Sequence, residues 1–218
     1  MHRKWTNQYI PLSQSSERIL EESNGGFDSE ALVAFERYKQ QYNKVALEIG
    51  SGSGMHLLRQ ARENPETLYI GIELRYKRAF KTVEKAEKSS ISNLFIVRGN
   101  AALIPQLFAP KELSALFIHY PDPWSKKRWK KHRLLQIEFL KLVATSMKEG
   151  ALFSFRTDHS DYFEEVLSLI ETLDEFSIES LSRHLYKESP GTFQPSSEFE
   201  ALFFSQGLPL NALIARRS

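Results

Sequence analysis

Short segments rich in β-branched and aromatic residues alternate with stretches of helical periodicity along most of this chain. The strand-like segments are 44–49, 67–73, 93–97, 113–119 and 150–156, and helix-compatible stretches follow at about 54–64, 75–90, 101–109, 133–148 and 160–172. Strands that alternate with helices favour a mainly parallel sheet covered on both faces. The sequence therefore predicts an α/β fold with a mostly parallel central sheet and helices on both faces.

The chain of 218 residues is long enough for one domain with an appendage. Residues 1–27 are polar and end in Ser-Asn-Gly-Gly, which predicts a loosely structured N-terminal arm. A helix is expected to begin at Asp28, because Asp28-Ser29-Glu30 is typical of a helix N-cap. With no internal repeat and no long linker, residues 28–218 are predicted to form a single domain, with a final strand within 208–215.

The composition excludes several classes of protein. The longest apolar run is five residues, 31–35, far short of a membrane span, and no signal-peptide core follows the basic N-terminus. The chain has no cysteine, which excludes disulfides, thiolate nucleophiles and cysteine-ligated metals. We therefore expect a cytoplasmic protein without a membrane partner, and the sequence leaves the choice between monomer and homodimer open.

A glycine-rich loop follows the first predicted strand of the sheet. Gly50, Gly52 and Gly54 alternate with serines directly after residues 45–49 and directly before a predicted helix. A dinucleotide fingerprint needs G-x-G-x-x-G, whereas here the last glycine comes one residue early. The preceding Glu48 suits a cationic ligand better than a phosphate. S-adenosylmethionine carries an ammonium and a sulfonium and no phosphate, so the loop favours this cofactor over NAD.

Two polar residues follow the next two predicted strands. Glu73 ends the second strand, 19 residues after Gly54, where a carboxylate can accept the two hydroxyls of a ribose. Asn100 follows the third strand and can bind the edge of an adenine. An exposed strand-end glutamate and a helix N-cap are the corresponding structural alternatives.

The fourth predicted strand leads into Pro121-Asp122-Pro123-Trp124. Ligands of open parallel sheets bind outside the carboxyl ends of the strands. The two prolines should therefore hold the Asp122 carboxylate on a stiff loop over such a crevice. No pair of histidines has the i, i+4 spacing of zinc-binding helices, so no metal site is predicted.

Residues 126–133 continue from this loop with six of the 29 basic residues and no acid, which leaves the remaining chain with a net charge of −4. A solvated face or a localisation signal is the ordinary explanation of such a run. Its attachment to the predicted crevice, and the aromatic ring of Trp129 among its cations, favour RNA, because cations neutralise phosphates while aromatic rings stack on bases.

These motifs resemble those of the bacterial-type tRNA (guanine-N7-)-methyltransferases. The resemblance spans about 150 of the 218 residues. Its most specific element is Pro-Asp-Pro-Trp-x-Lys followed by clustered basic residues. The resemblance also includes Glu48 to Gly54, 71–73, 99–101, 156–158 and 197–200. It implies a Rossmann-like class I methyltransferase fold and transfer of a methyl group from S-adenosyl-L-methionine to N7 of guanine 46 in the tRNA variable loop.

The resemblance also implies residue roles. Asp122 would be catalytic. The predicted cofactor-binding residues are Glu48, Gly50, Gly52, Gly54, Glu73, Asn100 and Asp122. The predicted substrate-binding residues are Lys126, Asp158, Ser197, Glu198, Phe199 and Glu200, and the predicted RNA contacts are Arg128, Trp129, Lys130, Lys131, His132 and Arg133.

Two residues depart from the family pattern. Asn100 stands where aspartate is frequent, which removes a charge, and Ser197 stands where threonine is usual. Ser197 to Glu200 also fits a helix capping box.

Guanine N7 carries a lone pair and no proton, so no strong general base is required. Asp122 or Glu200 is expected to accept hydrogen bonds from guanine N1–H and the exocyclic amine. The alternatives are a methyltransferase acting on another RNA nucleobase and a non-catalytic RNA-binding module with a vestigial cofactor pocket. An NAD-dependent oxidoreductase fits least well.

Overall fold

A computed structural model describes residues 7–188, 195 and 197–218, except for the side chain of Glu198. In these residues the strands are β1 (Ile19–Ser23), β2 (Gly26–Phe27), β3 (Lys44–Ile49), β4 (Thr67–Ile72), β5 (Leu94–Arg98), β6 (Leu113–His119), β7 (Met147–Thr157), β8 (Phe176–Ser182) and β9 (Asn211–Arg217). The five strands predicted from the sequence are confirmed as β3 to β7.

The helices are α1 (Tyr9–Gln14), α2 (Ser29–Lys39), α3 (Met55–Glu63), α4 (Tyr76–Lys88), α5 (Ile104–Leu107), α6 (Ile137–Ser146), α7 (Ser160–Glu171), α8 (Leu185–Glu188) and α9 (Glu198–Ser205). Two 3₁₀ helices span Ala101–Leu103 and Lys127–His132. Asp28 caps α2 as predicted, because its Oδ1 accepts from the backbone N–H groups of Glu30 and Ala31.

The strands form one sheet in the order β2-β1-β5-β4-β3-β6-β7-β9-β8. The neighbouring pairs in the row β1-β5-β4-β3-β6-β7 are all parallel. At the two edges, β2 runs antiparallel to β1, and β9 runs antiparallel to β7 and β8. The chain moves outward from β3 to β4 and β5 and then returns to place β6 on the other side of β3. The crevice at this reversal, outside the carboxyl ends of β3 and β6, is where such sheets bind ligands.

Both faces of the sheet are buried. Leu47 of β3 belongs to the core that α2, α6 and α7 cover, while its neighbour Ala46 faces α3 and α4. Burial on both faces explains why the central strands are mostly apolar and do not alternate apolar with polar residues. The α/β prediction with a mostly parallel sheet is confirmed.

The expectation of a loosely structured arm over residues 1–27 is wrong for part of that segment. β1 pairs in parallel with β5, with Ile19 opposite Ile96 and Leu20 opposite Val97. Arg18 fixes the start of β1 because its guanidinium donates to the carbonyls of Ile91 and Leu94. β1 was not predicted because its sequence is largely polar, as a strand near the edge of a sheet can be. The boundary at residue 28 stays a prediction, and residues 1–6 lie outside the described residues.

No described helix is long and apolar enough to cross a membrane.

Candidate active site

The loop after β3 takes a shape that requires glycine. Gly50, Gly52 and Gly54 have φ angles of 75°, 56° and 73°, in the left-handed region that L-residues with a Cβ rarely adopt. The N–H groups of Gly50 and Ser51 both donate to the Ile72 carbonyl at the end of β4. The alternating glycines therefore turn the chain from β3 into α3 while keeping the loop against the neighbouring strand.

Substitution of Gly54 by alanine is expected to lower the free energy of unfolding more than the same substitution at Gly50. A left-handed backbone costs alanine about 1–2 kcal/mol at either site. A Cβ at Gly54 would also lie 2.3 Å from Thr82 Cγ2, whereas one at Gly50 meets no atom within 4 Å. Such overpacking adds about 1–3 kcal/mol. Urea unfolding measures both losses.

Addition of Thr82→Ala to Gly54→Ala is the control, because it removes the two atoms closest to the new Cβ and should restore part of the loss. Equal destabilisation of the two single variants would show that contact with Thr82 is not what requires glycine at residue 54.

Glu73 holds the glycine loop from the end of β4. Its Oε2 accepts from Gly52 N–H at 3.0 Å and its Oε1 from Arg75 N–H at 2.8 Å. The side chain is buried, and each carboxylate oxygen keeps a further lone pair that can accept a hydroxyl. The structure therefore brings Glu73 and the glycine loop together, as the sequence predicts.

Asn100 lies at the carboxyl end of β5, beside the N-terminal strand. Its Oδ1 accepts from Ala102 N–H, which makes it a helix cap, and its own N–H donates to Glu22 Oε2 at 2.8 Å. A Cβ on Gly99 would lie 2.9 Å from the Cβ of Glu22. Glu22 thus supports this corner of the site, a residue that sequence reasoning missed because β1 carries no strong strand pattern.

Glu48 lies beneath the glycine loop, on the side of the sheet covered by α3. It is 4% exposed, and its Oε2 lies 3.2 Å from His56 Nδ1 at the start of α3. His119 on β6 is also buried, 4.7 Å from His56 between ring centroids. Burial, then the neighbouring His56 and Arg156, lowers the pKa of His119 well below its usual value. The predicted cofactor contact of Glu48 stays a prediction.

The loop after β6 presents Asp122 on the surface. It is bracketed by Tyr120 and Trp124, two non-glycine residues with φ angles of 55° and 42°. Such positive angles cost free energy and cluster at functional sites. Asp122 is exposed at the carboxyl end of the sheet, so the structure places it on the crevice side that the sequence predicts.

Arg133 is held inside the protein, and its predicted contact with RNA is wrong. Its side chain is fully buried. Nε donates to the Pro123 carbonyl at 2.8 Å and Nη1 to Glu165 at 2.7 Å, while the guanidinium lies over the ring of Tyr162. Burial raises the pKa of the Tyr162 hydroxyl to about 12. Arg133 therefore anchors the Asp122 loop from below, because a planar fork can bind a carbonyl and a carboxylate together.

Replacement of Arg133 by lysine is expected to lower thermal stability and methyl transfer without changing the salt dependence of RNA binding. Lysine keeps the charge but cannot span both acceptors. Thermal unfolding and RNA affinity at several salt concentrations provide the test. A loss of slope equal to one phosphate contact, about 0.7–0.9, would return Arg133 to the RNA surface.

The remaining basic residues form an exposed strip. Lys126 Nζ and the Arg128 guanidinium lie 4.6 and 5.1 Å from the ring centroid of Trp129. Lys131 and His132 are exposed. Lys130 is partly committed, because its Nζ donates to Glu165 at 3.3 Å. We name the exposed residues Lys126, Lys127, Arg128, Lys131 and His132 the basic strip.

Helix α9 packs against Tyr120, at the start of the Asp122 loop. Ser197 Oγ accepts from Glu200 N–H at 3.1 Å, so the capping role is confirmed for Ser197. Glu200 is fully buried and accepts from Arg156 Nη1 at 2.7 Å. Phe199 is 47% exposed and lies 6.2 Å from the ring of Tyr120. The segment thus sets an exposed aromatic ring beside the Asp122 loop.

The Arg156–Glu200 ion pair and the packing of Tyr120 were not predicted. Burial and Glu200 raise the pKa of the Tyr120 hydroxyl well above its usual value, so this group remains protonated. Sequence analysis identified Arg156 only as a member of the family motif 156–158, at the end of β7, and contained no indication of the role of Tyr120. Asp158 follows β7 and is half-buried. Asp158, Arg156 and Glu200 all interact electrostatically with Tyr186. The side chain of Glu198 lies outside the described residues.

Fold and site together define a class I methyltransferase. The solved structure of the 16S rRNA methyltransferase KamB superposes with a TM-score of 0.66 at 19% identity, covering 92% of this chain and 99% of that one. At this identity the likeness shows the fold alone.

Sequence relatives give the family. Residues 42–213 match a family described as "Putative methyltransferase". The tRNA (guanine-N7-)-methyltransferase of Clostridioides difficile is 32% identical over 166 residues, which cover 76% of this chain and 77% of the relative. The chain belongs to the tRNA (guanine-N7-)-methyltransferase family, as its motifs predict.

Another relative is longer. A bifunctional glycosyltransferase/methyltransferase of Fusobacterium nucleatum is 33% identical over 161 residues, which are 74% of this chain. This chain covers 25% of the length of that relative.

Proposed function

We propose that this protein transfers the methyl group of S-adenosyl-L-methionine to N7 of the variable-loop guanine of tRNA. One observation carries the proposal: Asp122 and the basic strip follow one another along a single loop, at the sheet edge where Glu73 binds the glycine loop. The glycine loop, the Asp122 carboxylate and a cationic surface thereby adjoin each other. This combination suits a polyanionic substrate better than a small metabolite.

The residues at the ends of β3 and β4 fit the cofactor. No atom lies within 4 Å of a Cβ built on Gly50, so a ligand can approach this backbone closely. The Glu73 carboxylate matches the two hydroxyls of a ribose, and Asn100 would hold the adenine side. When bound, S-adenosylmethionine supplies an electrophilic methyl group. The protein contributes by fixing the donor and the guanine in line, which lowers the entropic part of the barrier.

Asp122 is the better candidate of the two carboxylates predicted to orient the guanine. Glu200 is fully buried and paired with Arg156, whereas Asp122 is exposed on the loop that faces the crevice. The Asp122 carboxylate can accept hydrogen bonds from the guanine N1–H and exocyclic amine and stabilise the cationic product electrostatically. Because N7 carries no proton, Asp122 has no proton to remove.

The guanine must leave its base stack before Asp122 can bind its N1–H and exocyclic amine, as base-modifying enzymes generally require. The exposed ring of Phe199 offers a surface on which an extruded base can stack. The basic strip then holds the neighbouring phosphates. Lys126, Asp158 and Ser197 remain proposed substrate residues on the strength of the family motif.

Incubation with methyl-labelled S-adenosylmethionine and unmodified tRNA transcript, followed by nuclease digestion, tests the proposal. We expect label in 7-methylguanosine, lost when the variable-loop guanine is replaced by adenine. Label in another nucleoside would replace the proposed substrate by a different nucleobase. Measurable cofactor and tRNA binding without any label would indicate a non-catalytic RNA-binding module.

A further inference from the structure

A buried polar cluster lies beneath the glycine loop and includes Glu48, for which a cofactor contact is also predicted. Its members are Glu48 on β3, His56 in the first turn of α3 and His119 at the end of β6, which are 4%, 5% and 8% exposed. One ligand atom from each residue lies within 4.8 Å of the other two. Three separate elements therefore bring two imidazoles and one carboxylate to a single point in the interior.

The three converging side chains each carry a buried polar atom without a hydrogen bond. These atoms are Glu48 Oε2, His56 Nδ1 and His119 Nδ1. Glu48 Oε2 and His56 Nδ1 lie 3.2 Å apart, but their geometry makes no hydrogen bond. Since more than nine in ten buried polar groups have a partner, an unpartnered polar atom on each of the three converging side chains indicates a missing bound species.

The ring of His119 is oriented by a second contact. Its Nε2 lies 3.0 Å from Ser154 Oγ on the neighbouring strand β7. Because Nδ1 has no hydrogen-bond partner, a proton on Nε2 can be donated to Ser154 and leaves Nδ1 with a lone pair free to bind a cation. A hydrogen bond from the second ring nitrogen is the usual support of a metal-binding histidine.

We propose that Glu48, His56 and His119 bind one divalent transition-metal ion of the zinc class. Two histidines and one glutamate are a donor set found in zinc sites, with the fourth position left to water. Zinc bonds of about 2.0–2.2 Å require the three side chains to close slightly around the ion. A dication would also offset the charge of a carboxylate that is almost wholly removed from water.

The ion would join the two loops of the active site. Glu48 precedes Gly50 by two residues, and His119 precedes Asp122 by three. A metal bond between β3, α3 and β6 therefore braces the glycine loop and the Asp122 loop from below. The two histidines lie far apart in the sequence and lack the i, i+4 spacing of zinc-binding helices, which explains why sequence analysis predicted no metal site.

Chelator-treated, tag-free full-length protein, titrated with Zn²⁺ in competition with a chromophoric chelator, tests the proposal. We expect one equivalent per chain, and a higher melting temperature for the wild type with Zn²⁺ than with EDTA. His56→Gln and His119→Gln should each lower zinc affinity at least about 10-fold, as loss of a metal ligand or its support does. His132→Gln is the matched control, because His132 is exposed, and it should keep the wild-type stoichiometry.

Circular dichroism in EDTA establishes that the variants fold. If a variant does not fold, NMR of the wild-type histidine rings decides the matter without substitution, since Zn²⁺ should shift the ring signals of two buried histidines and leave the others in place. Absence of zinc binding to the wild type, or unchanged binding in both folded variants, would overturn the proposal. The cluster would then be a buried Glu48–His56 pair without a bound metal ion.

Discussion

Asp122→Asn is expected to lower kcat for methyl transfer by at least about 10²-fold, the usual effect of removing one preorganised electrostatic contact. Asparagine keeps the size of the side chain and the stiff backbone set by the two prolines. It replaces one acceptor oxygen by an amide donor, which would face the N–H groups of guanine. The loss should therefore fall on the chemical step rather than on folding.

Single-turnover assays with saturating tRNA and cofactor measure this effect, and equilibrium binding of each ligand is measured in parallel. Asp174→Asn is the matched control, because Asp174 is exposed in the turn between α7 and β8, away from the crevice. Full turnover of Asp122→Asn with normal tRNA affinity would remove Asp122 from the catalytic role and return attention to Glu200.

Combined replacement of Lys127, Arg128 and Lys131 by alanine is expected to weaken tRNA binding and to flatten its salt dependence. Each lost phosphate contact lowers the slope of log K against log salt by about 0.7–0.9. If all three residues contact phosphates, the slope falls by roughly 2–3. Cofactor affinity should not change, because the glycine loop and Glu73 lie on other strands.

Combined replacement of Lys44, Lys111 and Lys148 by alanine is the control for net charge. These lysines lie at or near the amino-terminal ends of β3, β6 and β7, at the opposite edge of the sheet from Asp122. The control removes the same net charge and should keep most of the slope. Equal losses in both variants would show that tRNA responds to the overall charge of the protein and not to the basic strip.

Local sequence patterns were sufficient for the central architecture. Short, mostly apolar segments such as 113–119 that alternate with helical stretches are typical of a parallel sheet buried on both faces, so β3 to β7 were predictable. The edges of the sheet were not. β1 is polar and β8 exposes most of its side chains, and their pairing depends on β5 and β9, which are distant in sequence.

The site divides in the same manner. The glycines and Asp122 follow strands directly, so their position at the carboxyl edge follows from the order of the elements. The burial of Arg133 did not, because a basic run gives no indication of which cation turns inward. Pairing of Arg156 with Glu200 joins residues 44 apart in the chain, and only the docking of α9 on the Asp122 loop brings them together.

The sequence by itself determined the alternating fold, the glycine loop, the family and the loop that carries Asp122, because each depends on residues adjacent in the chain. Only the tertiary structure decided which cations of 126–133 remain exposed, that Glu200 is held by Arg156, and that Glu48 meets two histidines in the interior. These features depend on contacts between separate elements, and burial depends on how those elements pack.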